Sequence, residues 1–298
     1  MKLKKIFKFV FALLLMMSTL FASGHTVNAM ETTEINIYEQ LKSEYNSLES
    51  KQFRIKSNIE ASELQDVQNE ISNFKNHIYE LKELPVEELM RYNYTNDQIE
   101  AIKTYDGSEV KSLKASATLK FSVKKNSLSY SSSKGLSTMK ATVTFTWNGG
   151  AEEYGRDWFA MAYEADNNHN YKKISTVSSS LTYKEYKSST NVKTWTKTAT
   201  NKGDQGTTGS YGWDFPFKVM GDKYYAYIHS GSFSTTGVVS GKVKYFSVRY
   251  LYSHKKNSFS ASLGISITKS GAGAGITLTS ESKYDGYPGD HGGIATFS

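Results

Sequence analysis

The 298-residue chain has no cysteine, so neither disulfides nor thiolate metal sites hold its fold. Its core must come from packing, to which 21 Tyr, 15 Phe and 4 Trp contribute, and its length suits one or two domains. The formal charge of +7 is divided unevenly: residues 30–107 hold 16 acidic against 8 basic side chains, and residues 108–298 hold 13 against 24. Such asymmetry informs about partners rather than about fold.

Residues 1–29 read as a secretory leader. Lys2, Lys4, Lys5 and Lys8 precede an apolar run from Phe9 to Phe21 that is interrupted only by Ser18 and Thr19, and Val27 and Ala29 place small residues at −3 and −1 of a cleavage site after Ala29. The pattern predicts an extracellular protein beginning at Met30. An uncleaved anchor is the alternative, but the run is short of the roughly 20 residues a spanning helix needs.

Residues 34–83 carry helical periodicity. Tyr38, Leu41, Tyr45, Leu48 and Ile55 make one seam, with Gln52 filling a slot, and Leu64, Val67, Ile71, Phe74, Ile78 and Leu81 make a second at alternating spacings of three and four. The phase breaks between Ile59 and Leu64, where Ser57–Glu60 and Ser62–Gln65 have capping-box spacing. Two antiparallel helices joined near 57–62 are expected, their seams paired within the chain; self-association between chains through the 38–81 seam is the other arrangement. A second helical pair follows, one opening at Pro85 and one capped by Thr95 with Gln98 and stopped at Gly107.

With Glu87–Leu89 and the stretch "YTNDQIEAIKTYDG" (94–107) standing just before a β-type region, the sequence resembles uncharacterised secreted proteins of Gram-positive bacteria. The resemblance implies an exported, cell-envelope or extracellular protein with a short helical region before a β-sandwich. It brings no activity and no site residues.

From Ser108 onward the period is two. Ala117, Leu119, Phe121 and Val123 alternate with polar residues, as do Met139, Ala141, Val143, Phe145 and Trp147, whereas 157–165 is apolar on both faces and predicts a central, covered strand. Further strands are expected at 180–187, 191–198, 214–220, 223–230, 241–253, 260–268 and 273–280, separated by turn-rich stretches. The fold class is mainly β: an antiparallel sandwich over 108–298, preceded by an acidic helical hairpin region over 30–107.

Most catalytic chemistries lack their residues. His77, His169, His229, His254 and His291 are scattered, and Asp166, Asn168 and Asn170 imitate a calcium loop that fails at Tyr171 and Val177. Ser131–Lys134 has SxxK spacing but lies in a serine-rich turn, Lys269–Gly271 imitates the accompanying motif, and no GxSxG elbow exists. No metal site, cofactor or catalytic residue is expected. Among carboxylates, Glu153 and Asp157 are the pair that could flank a glycosidic bond, although a solvated acidic loop beside a buried strand explains Glu152, Glu153, Asp157, Glu164 and Asp166 as well.

What remains is a basic, tyrosine-rich surface. "KYYAYIH" (223–229) and "KVKYFSVRYLYSHKK" (242–256) interleave cations and rings, making Lys223, Tyr225, Tyr227, Lys242, Lys244, Arg249, Tyr250 and Tyr252 the candidate binding residues. No nucleic-acid motif accompanies them; the partners such a face suits outside a cell are anionic wall polymers, carbohydrate or a membrane surface. Tyrosine as a strand former and lysine as a solubilising residue explain the same pattern without a ligand. Three function classes follow: a non-catalytic envelope or matrix protein that binds through this face, a secreted membrane-active or pore-forming toxin, and a carbohydrate-active hydrolase. The second rests on "SASLGISITKSGAGAGITLTS" (260–280), an alternating small/apolar and Ser/Thr pattern about a glycine-rich turn. The charge division further suggests that the helical region packs on the β-region or is removed from it as a pro-segment, with a cleavable join near 105–115. At the C-terminus, Asp285, Asp290 and His291 stand among Gly and Pro residues that mark a connecting turn before a short last strand.

Overall fold

Tyrosine hydroxyls tie two antiparallel sheets together across a ring-filled interior. The computed structural model describes residues 30–55, 58–150, 155–165, 171–188, 191–201, 210–256, 264–270, 273–279 and 290–297. Residues 1–29, 151–154 with Glu152 and Glu153, 166–170, and 280–289 with Asp285 lie outside the described residues.

The first sheet runs β1 (Met30–Asn36), β2 (Thr118–Ser131), β3 (Leu136–Asn148), β10 (Tyr225–Ser240), β5 (Tyr171–Ser188), β6 (Asn191–Lys197), with β9 (Lys218–Met220) also on β10. The second runs β14 (Asp290–Phe297), β11 (Phe246–Lys256), β4 (Gly155–Ala165), β8 (Ser210–Pro216), β7 (Thr200–Asn201). Every pairing is antiparallel, as expected of a sandwich whose strands alternate buried and wet positions.

Leu119, Phe121, Val143, Phe145, Leu181, Tyr183 and Phe233 meet Phe159, Met161, Tyr163, Trp213, Phe215, Val248 and Tyr252 in one core. Phe233 lies at its centre, stacked 4.2 Å from Phe159 and in contact with Phe145, Trp213 and Phe215. Three tyrosines use their apolar bodies as core and their hydroxyls as cross-links. Tyr163 donates to the Thr235 carbonyl at 2.6 Å and accepts from the Ala141 N–H at 2.9 Å, Tyr183 donates to the Pro216 carbonyl at 2.7 Å, and Tyr252 accepts from the Trp147 indole at 2.8 Å. Burial raises the Tyr163 hydroxyl to about 12, so it stays a donor across the physiological range.

β10 continues through "SGSFSTTGVVS" (230–240), ten residues past the strand expected at 223–230. Gly231 explains its composition: a Cβ there would stand 2.4 Å from the Phe145 ring. The glycine is where two strands and a ring approach closely.

The helical layer consists of α1 (Ile37–Ile55), α2 (Asn58–Glu83), α3 (Val86–Arg91), α4 (Asn96–Lys103) and α5 (Glu109–Ala115). As the seam pattern predicts, α1 and α2 pack together within the chain, Tyr38 stacking on Phe74 at 5.1 Å, and α4 adds Ile99 and Ile102 to the same cluster. Two details differ from expectation. Residues 34–36 are strand rather than helix, because Met30–Asn36 adds an edge to β2 and Asn36 then caps α1 by accepting from the Glu39 N–H at 3.0 Å. Beyond Gly107 the chain makes one more short helix, α5, before the strands begin; two turns carry too little periodicity to announce themselves.

Thr95 and Gln98 form the expected reciprocal capping box. Gln98 also donates to the Ser116 carbonyl at 2.7 Å, and Asn93 donates to the Ile228 carbonyl at 2.9 Å, fastening the layer to the end of the sheet. Gly149 completes the joint: its φ of +82° and the Tyr94 ring 2.6 Å from a notional Cβ both require glycine. The acidic layer packs on the basic sheets, and these fastenings are neutral hydrogen bonds. The 105–115 join is itself packed, with Tyr105 and Ser112 buried and hydrogen-bonded to each other at 2.9 Å.

Candidate functional site

The eight candidate binding residues do not form one face. Tyr250 and Tyr252 point into the core, their alternation with Arg249 and Leu251 having placed them on the inner side of β11. Arg249, on the outer side, pairs with Glu164 at 3.3 Å. Tyr227 is covered by Tyr92 of the helical layer, ring edge to face at 5.7 Å. The interleaving of rings and cations in 242–256 thus reflects a strand with one buried aromatic face, and the expectation of a continuous binding surface there is corrected accordingly.

The other four residues fall at opposite ends of β10. Lys242 and Lys244 are exposed beside the β2–β3 turn, which carries Lys134 and holds their loop through Gly241 N–H to Gly135 O at 2.8 Å and Ser137 Oγ to Gly241 O at 2.7 Å. Ser131 ends β2 at this turn, 3.2 Å from Ser133, with no general base arranged on it by a helix. Lys223 and Tyr225 stand at the far end.

That far end is built by register. Tyr227 opposes Lys184 on one side and Lys218 on the other; one step outward, Tyr225 opposes Met220, and Tyr186 opposes Val192. Period two puts all seven residues on the outer face. Val192, Met220 and Tyr225 are 41, 69 and 48 % exposed, an apolar row that sequence reading missed because its members come from three separate strands. Lys218 lies 4.2 Å over the Tyr225 ring, and burial lowers the affinity of Lys184 and Lys218 for their protons.

Beneath this row, Glu185 fixes the 221–224 turn. Its carboxylate, covered by protein, accepts N–H bonds from Asp222 (2.9 Å), Lys223 (2.7 Å) and Tyr224 (2.9 Å), and from the Trp195 indole (3.2 Å). Burial alone pushes this carboxyl up, but the four donors outweigh it and hold it at about 2. Asp222 in turn receives Lys187 and Lys193 at 2.9 and 2.8 Å, and Arg91 of α3 stacks 4.4 Å over Tyr224.

Asp157, the described member of the carboxylate pair, is fully buried and accepts from the Tyr252 hydroxyl. It faces the sandwich interior, where no polymeric sugar reaches. Among the described residues, no group of three His, Cys, Asp or Glu is arranged to hold a metal ion. No described helix is long and apolar enough to cross a membrane, which leaves strands untested.

The stretch 264–279 forms a third assembly, β12 (Gly264–Ser270) paired with β13 (Gly273–Thr279) and with neither sheet. Its register sets Ile265 against Leu278 and Ile267 against Ile276, alternating with Ser266 against Thr277. β13 lies along β4 and β11, whose outward Trp158, Ala160, Ala162 and Leu251 are all buried. The chain leaves the second sheet for this hairpin after Lys256, opposite Gly155, and returns at Asp290, opposite Ser253. Arg156, next to that exit, opposes Pro216, from which the chain passes directly into β9. The hairpin is therefore rooted at the same end as the exposed Met220–Tyr225 row.

No protein-family model and no curated protein matches the sequence. Among solved structures, the chain is similar to the NetB toxin of Clostridium perfringens in its membrane-inserted form, with 10% identity, a TM-score of 0.22, and coverage of 46% of this chain and 77% of that one. It is also similar to the delta-toxin of Clostridium perfringens, with 6% identity, a TM-score of 0.22, and coverage of 61% and 84%. Scores this low fall short of a shared overall arrangement, and no residue of either toxin is carried over.

Proposed function

We propose that this is a secreted, membrane-active protein that perforates bilayers by inserting the 264–279 hairpin. The observation that carries the reading is that, among the described residues, the two strands of this hairpin pair with each other and with neither sheet. A two-stranded hairpin is marginal alone in water, so it depends on the surface it lies along. Its alternating register gives one row of Ile265, Ile267, Ile276, Leu278 and Ala274 that ends toward the turn in Lys269, the sole charge from Gly264 to Thr279, and one row of Ser, Thr and Gly. Apart from Lys269, that is the pattern of a strand with lipid on one side and water on the other, and 260–280 has room for two strands of about nine residues, the lower end of what a crossing needs, with a short turn between them. Strands cross a bilayer only in closed barrels, so several copies would supply two strands each.

The absence of cysteine makes the test clean. Single cysteines at 265, 266, 267 and 268, labelled with an environment-sensitive dye, are expected on vesicles to alternate in emission: apolar at 265 and 267, aqueous at 266 and 268. Ile267→Asn with Ile276→Asn is expected to abolish dye release from those vesicles without altering the folded signal. Release that survives this double substitution, or labels without alternation, would falsify the reading. The exposed Lys134, Lys242 and Lys244 at the other end favour a second one, attachment to an anionic wall polymer.

A further inference from the structure

We propose that the outer-face row at the turn end of the first sheet, Tyr186, Val192, Met220 and Tyr225 with the lysines around it, is an attachment surface for bilayers containing anionic phospholipid. The inference rests on the membrane reading above and supplies its missing step, the first contact.

Three observations support this occupant. The row exposes three large apolar side chains side by side, whereas elsewhere in the described sheets an exposed ring such as Tyr130 or Tyr245 stands at a turn. Tyrosine and methionine are suited to the headgroup boundary: the tyrosine hydroxyl stays wet while its ring and the methionine thioether enter the acyl region. Lysines ring the row. Lys218 lies over the Tyr225 ring, Lys184 opposes Tyr227 on the neighbouring strand, Lys223 sits in the 221–224 turn, and Lys187 and Lys193, near the ends of β5 and β6, both reach Asp222 of that turn. Against these five stand two carboxylates, of which Glu185 is enclosed by its four donors and Asp222 is shared between two of the lysines. Long cationic side chains with apolar stems around an apolar centre complement a negatively charged bilayer surface, where each cation adds to binding while its stem stays in contact with the ring beneath it.

The position of the row matters as much as its chemistry. Glu185 stiffens the 221–224 turn, so the surface is preformed rather than ordered on contact. The hairpin leaves and rejoins the second sheet at this same end. A molecule seated by the row would hold the root of its hairpin at the bilayer.

The test is flotation of the full secreted chain with vesicles of phosphatidylcholine, with and without phosphatidylglycerol. Lys218→Gln with Lys223→Gln is expected to weaken partition onto phosphatidylglycerol vesicles by about 25-fold, since each cation near such a surface contributes a factor of about five, and added salt should shrink the difference. Met220→Ser with Tyr225→Ser is expected to weaken it about tenfold or more by removing buried apolar area. Lys242→Gln with Lys244→Gln at the opposite end should leave flotation unchanged. Because Met220 and Tyr225 are exposed, an unchanged unfolding midpoint confirms that these variants fold. Undiminished flotation of the row variants overturns the proposal, as does equal loss from the Lys242/Lys244 pair, or equal loss of binding to a soluble polyanion in place of vesicles. Flotation without dye release would leave this surface standing and remove the perforation reading; dye release from phosphatidylcholine alone, unaffected by row variants, would do the reverse.

Discussion

Glu185 in the sandwich and Glu70 in the helical layer are both glutamates held against protein, and their protonation shifts in opposite directions. Around Glu185, four N–H donors meet the carboxylate and hold it at about 2 against the cost of burial. Around Glu70, burial raises the carboxyl, and Glu44 and Asp66 raise it further. The sandwich satisfies its enclosed charge and fills its interior with rings. The helical pair closes over a narrower seam and leaves like charges beside it. The layer is joined to the sheets by hydrogen bonds from Gln98 and Asn93, by the Tyr92–Tyr227 ring contact and by Arg91 over Tyr224.

The largest test of that contrast is Phe233→Ala. It removes the ring at the centre of the core and should cost about 3–5 kcal/mol, read as a fall in denaturant midpoint with an unchanged slope. Losing Phe233 should speed amide exchange in both sheets together. A small change, or one confined to β10, would mean that the core is not the unit that holds the molecule.

Next is Glu185→Ala, which strands three covered backbone donors and should cost about 1–3 kcal/mol. The sign with pH follows from the lowered value: the stabilisation is complete above the ordinary carboxyl range near 4.5 and fades as pH falls toward 2. The deficit of the variant relative to the parent should accordingly be full at neutral pH and narrow below about 4.5. A deficit independent of pH would show that shape rather than charge fixes the turn, and would weaken the argument that the attachment surface is preformed.

Period two made the sheets legible from sequence, and spacing with caps made the helices so: the covered strand at 157–165, the paired seams and the Thr95–Gln98 box all stand where their residues place them. What hid β10 beyond Ser230 was that its glycines make room for rings supplied by β3 and β4, a reason that lies on other strands. The surface row was hidden similarly. Sequence pointed to Lys223 and Tyr225, but Met220, Val192 and Tyr186 join them only through pairing across four strands. Conversely, Tyr250 and Tyr252 have the same local pattern as surface rings. Only the packing of Tyr252 against Trp147 and Asp157 reveals them as core.

The smallest expected effect addresses the helical side of the comparison. Glu70 and Asp66 are four residues apart on α2, where a like-charge pair costs about 0.2–0.5 kcal/mol, and Glu44 approaches from α1. With its affinity for a proton raised in the fold, Glu70 favours the folded state below the ordinary carboxyl value of 4.5, and this contribution is lost as pH rises through its raised value. Glu70→Gln should therefore stabilise the helical pair by a few tenths of a kcal/mol at neutral pH and by nothing once the carboxyl is protonated, read as slower amide exchange in α1 and α2. Acid would then tighten the helical pair while it loosens the Glu185 turn, so the two regions should respond to falling pH in opposite directions. Amide exchange that changed in the same direction in both would break the contrast at its root.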